Sequence, residues 1–262
     1  MSEQDDGGTP PARIDGHLVA GGKYHDIDYA RSRLLDLLAE HPQVRMTVST
    51  DYEAIDTVTG GSFLVSYTCD TRPSEEAQTA VADWVAGGGR WLALHGTNSA
   101  LDLGGPNGVE SPRCFPRWAA LVGSQFVAHP PIHAYPVEVT DSSHWLVEGI
   151  ETFETDDELY VMEYPDEAAL VPLLHTMWEG EATGFAESDW SDPDGPTRHL
   201  VQYLRSYGEG EVLYNSLGHV RGHWDMAPLV DYYPRIERGA WDKDAYIELL
   251  RRGIRWAMGQ NA

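Results

Sequence analysis

Basic residues are scarce in this chain: 18 Lys and Arg stand against 42 Asp and Glu in 262 residues, for a net charge of −24. A surface of that sign repels phosphate backbones and anionic membranes, so neither nucleic acid nor a membrane is an expected partner. Cysteine is nearly absent, and Cys69 and Cys114 suggest neither a disulfide framework nor a Cys-rich zinc site. No apolar run approaches the ~18 residues of a membrane span. The polar, acidic start MSEQDDGGTPPARIDG lacks the basic and apolar regions of a secretory signal, and a cytoplasmic location is expected. Also missing are GxGxxG at a strand–helix junction and a Walker-type GxxxxGK, which leaves a nucleotide cofactor without support, and HExxH and GxSxG, two hydrolase signatures.

What is present reads as an ordinary globular domain, with 42% hydrophobic residues and length enough for a sizeable core. Residues 1–13, rich in Gly, Pro and acid, read as a disordered tail, and 14–262 as one domain. Strands are expected at 14–20, 44–50, 62–68 and 90–94, with helices at 30–41 and from Ser74 to Ala86, the latter ended by a Gly triplet. This alternation predicts parallel βαβ units with helices on both sheet faces. Farther on, 102–112 and 180–197 read as loops and 113–123 as a short helix broken by Pro116. Strands follow at 135–140, 158–164 and 170–178, a hairpin around Gly208-Glu209-Gly210, and a terminal helix at 244–259.

The run Trp91-Leu92-Ala93-Leu94 stops abruptly at His95-Gly96. His25 likewise follows the first strand through a Gly-Gly turn, and His219 follows the second hairpin strand. In a parallel α/β sheet, ligands bind outside the carboxyl ends of the strands, where residues distant in sequence meet. One histidine so placed is usually structural, but three at equivalent ends suit metal binding or general acid–base chemistry. His129 and His133 lie in the Pro-stiffened AHPPIH, and His223 lies close to His219.

Several segments together resemble the ThuA-like (trehalose utilisation) family of the class I glutamine amidotransferase-like superfamily. They are GGKYHD, GGGRWLALHGTNSA, FVAHPPIH, HWLVEGIETFETDDELY, GEGEVLYNSLGHVRGHW and RGIRWAMG. The resemblance implies a flavodoxin-like, three-layer αβα sandwich with a mostly parallel central sheet. It also implies that the position of His95-Gly96 is the elbow at which amidotransferases carry a nucleophilic Cys. This chain has none there, so glutamine hydrolysis is not expected. The family is associated with sugar metabolism, and a keto-glycoside is the implied substrate class. Elimination or net hydrolysis would run through His25, His95, His219 and Asp157, with Trp224, Glu158, His129, His133 and His223 contacting substrate. Zinc or a similar divalent ion on His25, His129 and His219 suits the ligand types. Alternatives are a non-catalytic sugar-binding or scaffold protein and a thiol enzyme on Cys69. The exposed sheet edges of such a fold make a homodimer reasonable.

Overall fold

The structure, a computed structural model, describes residues 12–260 apart from 228; the expected tail falls almost wholly outside the described residues. The first half of the chain runs β1 (Ile14–Gly22), α1 (Ile27–Ala39), β2 (Val44–Ser49), α2 (Ile55–Val58), β3 (Phe63–Cys69), α3 (Glu75–Ala86) and β4 (Arg90–Leu94). Next come a short hairpin, β5 (Asp102–Gly105) and β6 (Gly108–Glu110), then α4 (Pro116–Val122), β7 (Gln125–Ala128) and β8 (His133–Val139). The chain closes with β9 (Phe153–Asp157), β10 (Val161–Glu163), β11 (Leu170–Trp178), β12 (Thr197–Tyr207), β13 (Gly210–Asn215) and α5 (Asp244–Ala257).

Nine strands form the main sheet in the order β2-β1-β3-β4-β13-β12-β11-β8-β9. Strands β2 to β13 of that order are mutually parallel, and the remaining pairings are antiparallel. The expected αβα frame is therefore the parallel half, with an antiparallel extension beside it. Strand β4 shows why its apolar run is needed: Leu92 and Leu94 enter the core packed under α1 and α5, while Trp91 and Ala93 enter the core under α3 and α4. A strand covered on both faces has no polar side to display. Helix α1 is capped by Asp26, which accepts the Tyr29 N–H, and α3 by Ser74, which accepts that of Ala77. No helix among the described residues is long and apolar enough to cross a membrane.

Three local readings are corrected. Pro116 begins α4 rather than breaking it, because a residue without an N–H costs nothing at the first helical position. Residues 102–112 hold a hairpin turned by Pro106-Asn107. The segment 158–164 is not one strand: β9 ends at Asp157, and β10 resumes at Val161 to pair with β7.

Candidate functional site

The carboxyl ends of β1, β4 and β13 converge, and each is followed by one of the expected histidines. Gly22 makes the first turn possible. Its φ is +108°, and a Cβ there would lie 1.9 Å from the Cys69 carbonyl oxygen. His95 itself adopts φ +48°, a left-handed conformation that costs a non-glycine residue about 1–3 kcal/mol. Gly96 follows because a Cβ would lie 2.7 Å from the Thr68 carbonyl oxygen. The elbow thus exists, with an imidazole at its tip.

Each ring is oriented by a group that accepts its proton. His95 Nδ1 donates to the Ser216 carbonyl at 2.7 Å, His25 Nδ1 to that of Lys23 at 3.1 Å, and His129 Nδ1 to that of Pro130 at 2.7 Å. His219 Nε2 donates to Glu237 Oε2 at 2.9 Å. A carbonyl can only accept, so in each of these three rings Nδ1 carries a proton and Nε2 is the atom left to take a proton or a cation. These Nε2 atoms face one another and the buried carboxylate of Glu158. His25 Nε2 lies 2.9 Å from His95 Nε2. Glu158 oxygens lie 3.5 Å from His25 Nε2, 3.4 Å from His95 Nε2, 3.5 Å from His129 Nε2 and 3.0 Å from His219 Nδ1. His219 Nδ1 is nevertheless a buried nitrogen without an aligned hydrogen-bond partner. Lone pairs set against lone pairs and a carboxylate repel unless a proton or another cation lies among them.

The formal charges agree. Arg221 is buried between Glu158 Oε1 and Glu237 Oε2, at 3.0 Å from each. One guanidinium against two carboxylates leaves one negative charge, which a proton on His219 offsets in the metal-free protein and a bound cation would offset in its place. His25, His95, His219 and Glu158 can bring one donor atom each within 4.8 Å of one another, so this cluster could hold a metal. Three imidazoles and a carboxylate, each nitrogen backed by a second hydrogen bond, are a donor set for zinc or a similar ion.

In the metal-free protein, burial disfavours charge on His219, but the carboxylates of Glu158 and Glu237 outweigh it and raise its pKa to about 9. Burial lowers that of His25 to about 3, against an ordinary value of 6.5. Burial opposes charge on Glu158 too, yet its imidazole neighbours hold it well below the usual range. Between pH 3 and 6.5 the unfolded chain binds a proton at His25 that the fold refuses, so stability rises with pH. Between 6.5 and 9 the fold retains a proton at His219 that the unfolded chain has lost, so stability falls. The melting temperature of metal-free protein is expected to peak near pH 6.5, the ordinary value for histidine; a flat profile across this range would contradict it.

A cavity of about 480 Å³ opens over the cluster. Its polar floor includes His25, His129, Glu158 and Arg221, and its walls include Leu103, Phe126, Tyr160 and Phe185. Tyr160 Oη lies 3.1 Å from His95 Nε2, and the Tyr67 ring stacks on the His95 ring. Cys69 borders the cavity, but burial pushes its thiol far above the usual range and leaves no thiolate at neutral pH.

Other expected site residues lie elsewhere. Asp157 orients no imidazole. It is fully buried and accepts the backbone N–H groups of Glu158, Gly218, His219 and Ala240. Trp224 is 70% exposed with its ring against Tyr232. His223 stacks on Tyr232 and donates to the Tyr233 carbonyl. His133 donates to that of Pro131. None of these four is among the described residues lining the cavity. The expected metal set is also revised: His95 belongs to the tight cluster, and His129 stands at its cavity side. Sequence reasoning missed Arg221, Glu237 and Tyr160. Nothing local separates Arg221 and Glu237 from neighbouring Arg235, Arg238 and Asp231; only the chain path buries them.

The sequence model of the ThuA family, described as trehalose utilisation, matches residues 18–232. The chain belongs to the ThuA family. That membership indicates a carbohydrate-related role. Among curated proteins none matches the sequence. Among solved structures, a ThuA-like protein from Parabacteroides merdae is similar at 18% identity and a TM-score of 0.60, covering 95% of this chain and 91% of that one. A ThuA-like protein from Bacteroides uniformis reaches 0.64 at 12% identity, covering 97% and 95%. A β-galactosidase from Rahnella sp. R3 matches at 0.56 and 10% identity, covering 95% of this chain but 32% of the larger enzyme. At such identities the likeness is one of fold, and it agrees with the flavodoxin-like frame expected of a ThuA protein.

Proposed function

We propose that this ThuA protein is a metal-dependent lyase or hydrolase acting on a keto-glycoside. The observation that supports this reading is the convergence of ring nitrogens on the buried Glu158 carboxylate beside a cavity. His25 Nε2, His95 Nε2, His219 Nδ1 and a Glu158 oxygen would hold zinc or a similar ion. When bound, such an ion supplies Lewis-acid polarisation of a keto oxygen.

The remaining chemistry falls to the chain's own groups. His129 lines the cavity, and its Nδ1–H is occupied by Pro130, so Nε2 is the free base. It takes the proton from the carbon between the keto group and the anomeric carbon. The electron pair of that C–H bond forms a C=C bond as the anomeric carbon–oxygen bond breaks. The protonated His129 returns its proton to the departing oxygen, and water added across the double bond completes net hydrolysis. Arg221 and Glu237 keep Glu158 and His219 in place.

Zinc-loaded protein is expected to release the aglycone from a 3-keto-glucoside. The His129→Ala variant should keep the metal while losing about 10²–10⁴ in kcat. Undiminished turnover in that variant, or in protein stripped of metal by a chelator, would overturn the proposal.

A further inference from the structure

We propose that the glycoside handled here carries an apolar group about the size of a phenyl ring, held by a wall that three segments add to the αβα frame. The sugar half of this substrate rests on the function proposed above; the apolar half rests on separate geometry. Lining the same cavity are Leu101, Leu103, Val109, Phe185, Met226 and Leu229. They come from three places: the β5–β6 hairpin and its lead-in, the loop between β11 and β12, and the segment after His219.

The first two are joined into one structure. The Val109 N–H donates to the Gly184 carbonyl at 2.8 Å, and the Ala186 N–H donates to the Val109 carbonyl at 2.9 Å. Val109 and Phe185 are thereby bridged in parallel fashion, side by side at the cavity. Arg113 braces the same loop through Glu187 while also holding Glu163 on β10. The wall is therefore built by backbone pairing and ion pairs, and it is not a fringe of loose side chains.

A sugar bearing hydroxyls on every side would meet this wall with no partner for them, which is unfavourable. An aromatic or aliphatic group would instead gain by leaving water. Leu229 is 47% exposed at the rim, so the wall continues outward and an attached group has a way to solvent.

The test measures binding to zinc-loaded protein by calorimetry, with phenyl glucoside, methyl glucoside of the same anomeric form, and phenol. Phenyl glucoside is expected to bind at least about ten-fold more tightly than methyl glucoside. The Leu103→Asn/Val109→Asn double variant should retain zinc and shrink that ratio below about three-fold. Equal binding of the two glucosides by the wild-type protein overturns the inference, as does failure of both phenyl glucoside and phenol to bind. If phenol binds, the double variant abolishes it, and no glucoside binds, then the apolar wall stands and the carbohydrate reading falls.

Discussion

Replacing His25 and His95 together by alanine is expected to lower zinc affinity by about four to six orders of magnitude. A four-ligand zinc site carries about 10–16 kcal/mol of apparent binding free energy, so two ligands carry roughly 5–8 kcal/mol, and each 1.4 kcal/mol is a factor of ten. The two Nε2 atoms lie 2.9 Å apart, each with its other ring nitrogen donating to a backbone carbonyl, so neither ring can be replaced in its role by the other. Competition against a chromophoric chelator measures the loss. His133→Ala and His223→Ala should bind zinc as the wild-type protein does, since both rings are held by carbonyls away from the cluster. Should the double variant not fold, Glu158→Gln removes the carboxylate charge from the same set and is expected to weaken zinc binding as well. A single zinc retained at wild-type affinity by both variants would show that the cluster is not a metal site.

Asp157→Ala is expected to lower the melting temperature by about 10 °C or more. The carboxylate accepts four backbone N–H groups at 2.8–3.0 Å and ties the end of β9 to the Gly218-His219 turn and to Ala240. Each buried N–H left without an acceptor costs about 1–3 kcal/mol, so four cost about 4 kcal/mol or more. For a chain of this size each kcal/mol shifts the melting temperature by about 2–4 °C. Asp157→Asn keeps one acceptor oxygen and should lose roughly half as much. Thermal and urea denaturation both report the change, and a shift below about 3 °C would mean that the staple contributes little. The same residue sets the position of His219 and the backbone of Glu158, so zinc affinity should fall with it.

How much of this was legible differs from residue to residue. The apolar run Trp91–Leu94 of β4 announced a two-faced strand, because alternate residues had to fill two separate cores. The histidines after β1, β4 and β13 were legible as a group because parallel strands deliver their carboxyl ends to one edge. The choice between Asp157 and Glu158 was not legible. It depends on β9 ending at Asp157, which turns one carboxylate toward backbone amides and the next toward the imidazoles. Trp224 misled for a related reason: an aromatic-rich segment indicates burial of some rings without saying which, and here Trp241 is buried while Trp224 is exposed. The segments 102–112 and 180–197 read as loops because their strand pairing is with each other or very short, which leaves no periodic pattern.

The sequence by itself determined the parallel αβ frame, the sharp Gly turns and the imidazoles placed just beyond them, since these follow from local periodicity and backbone sterics. Tertiary structure alone decided which ring nitrogens face inward and which carboxylates face them. Those choices are made by groups far away in the chain: the Ser216 carbonyl that orients His95 is 121 residues from it, and the Arg221 guanidinium that holds Glu158 is 63 residues from it. A hydrogen bond acts over about 3 Å whatever the separation along the chain, so only the folded path reveals it.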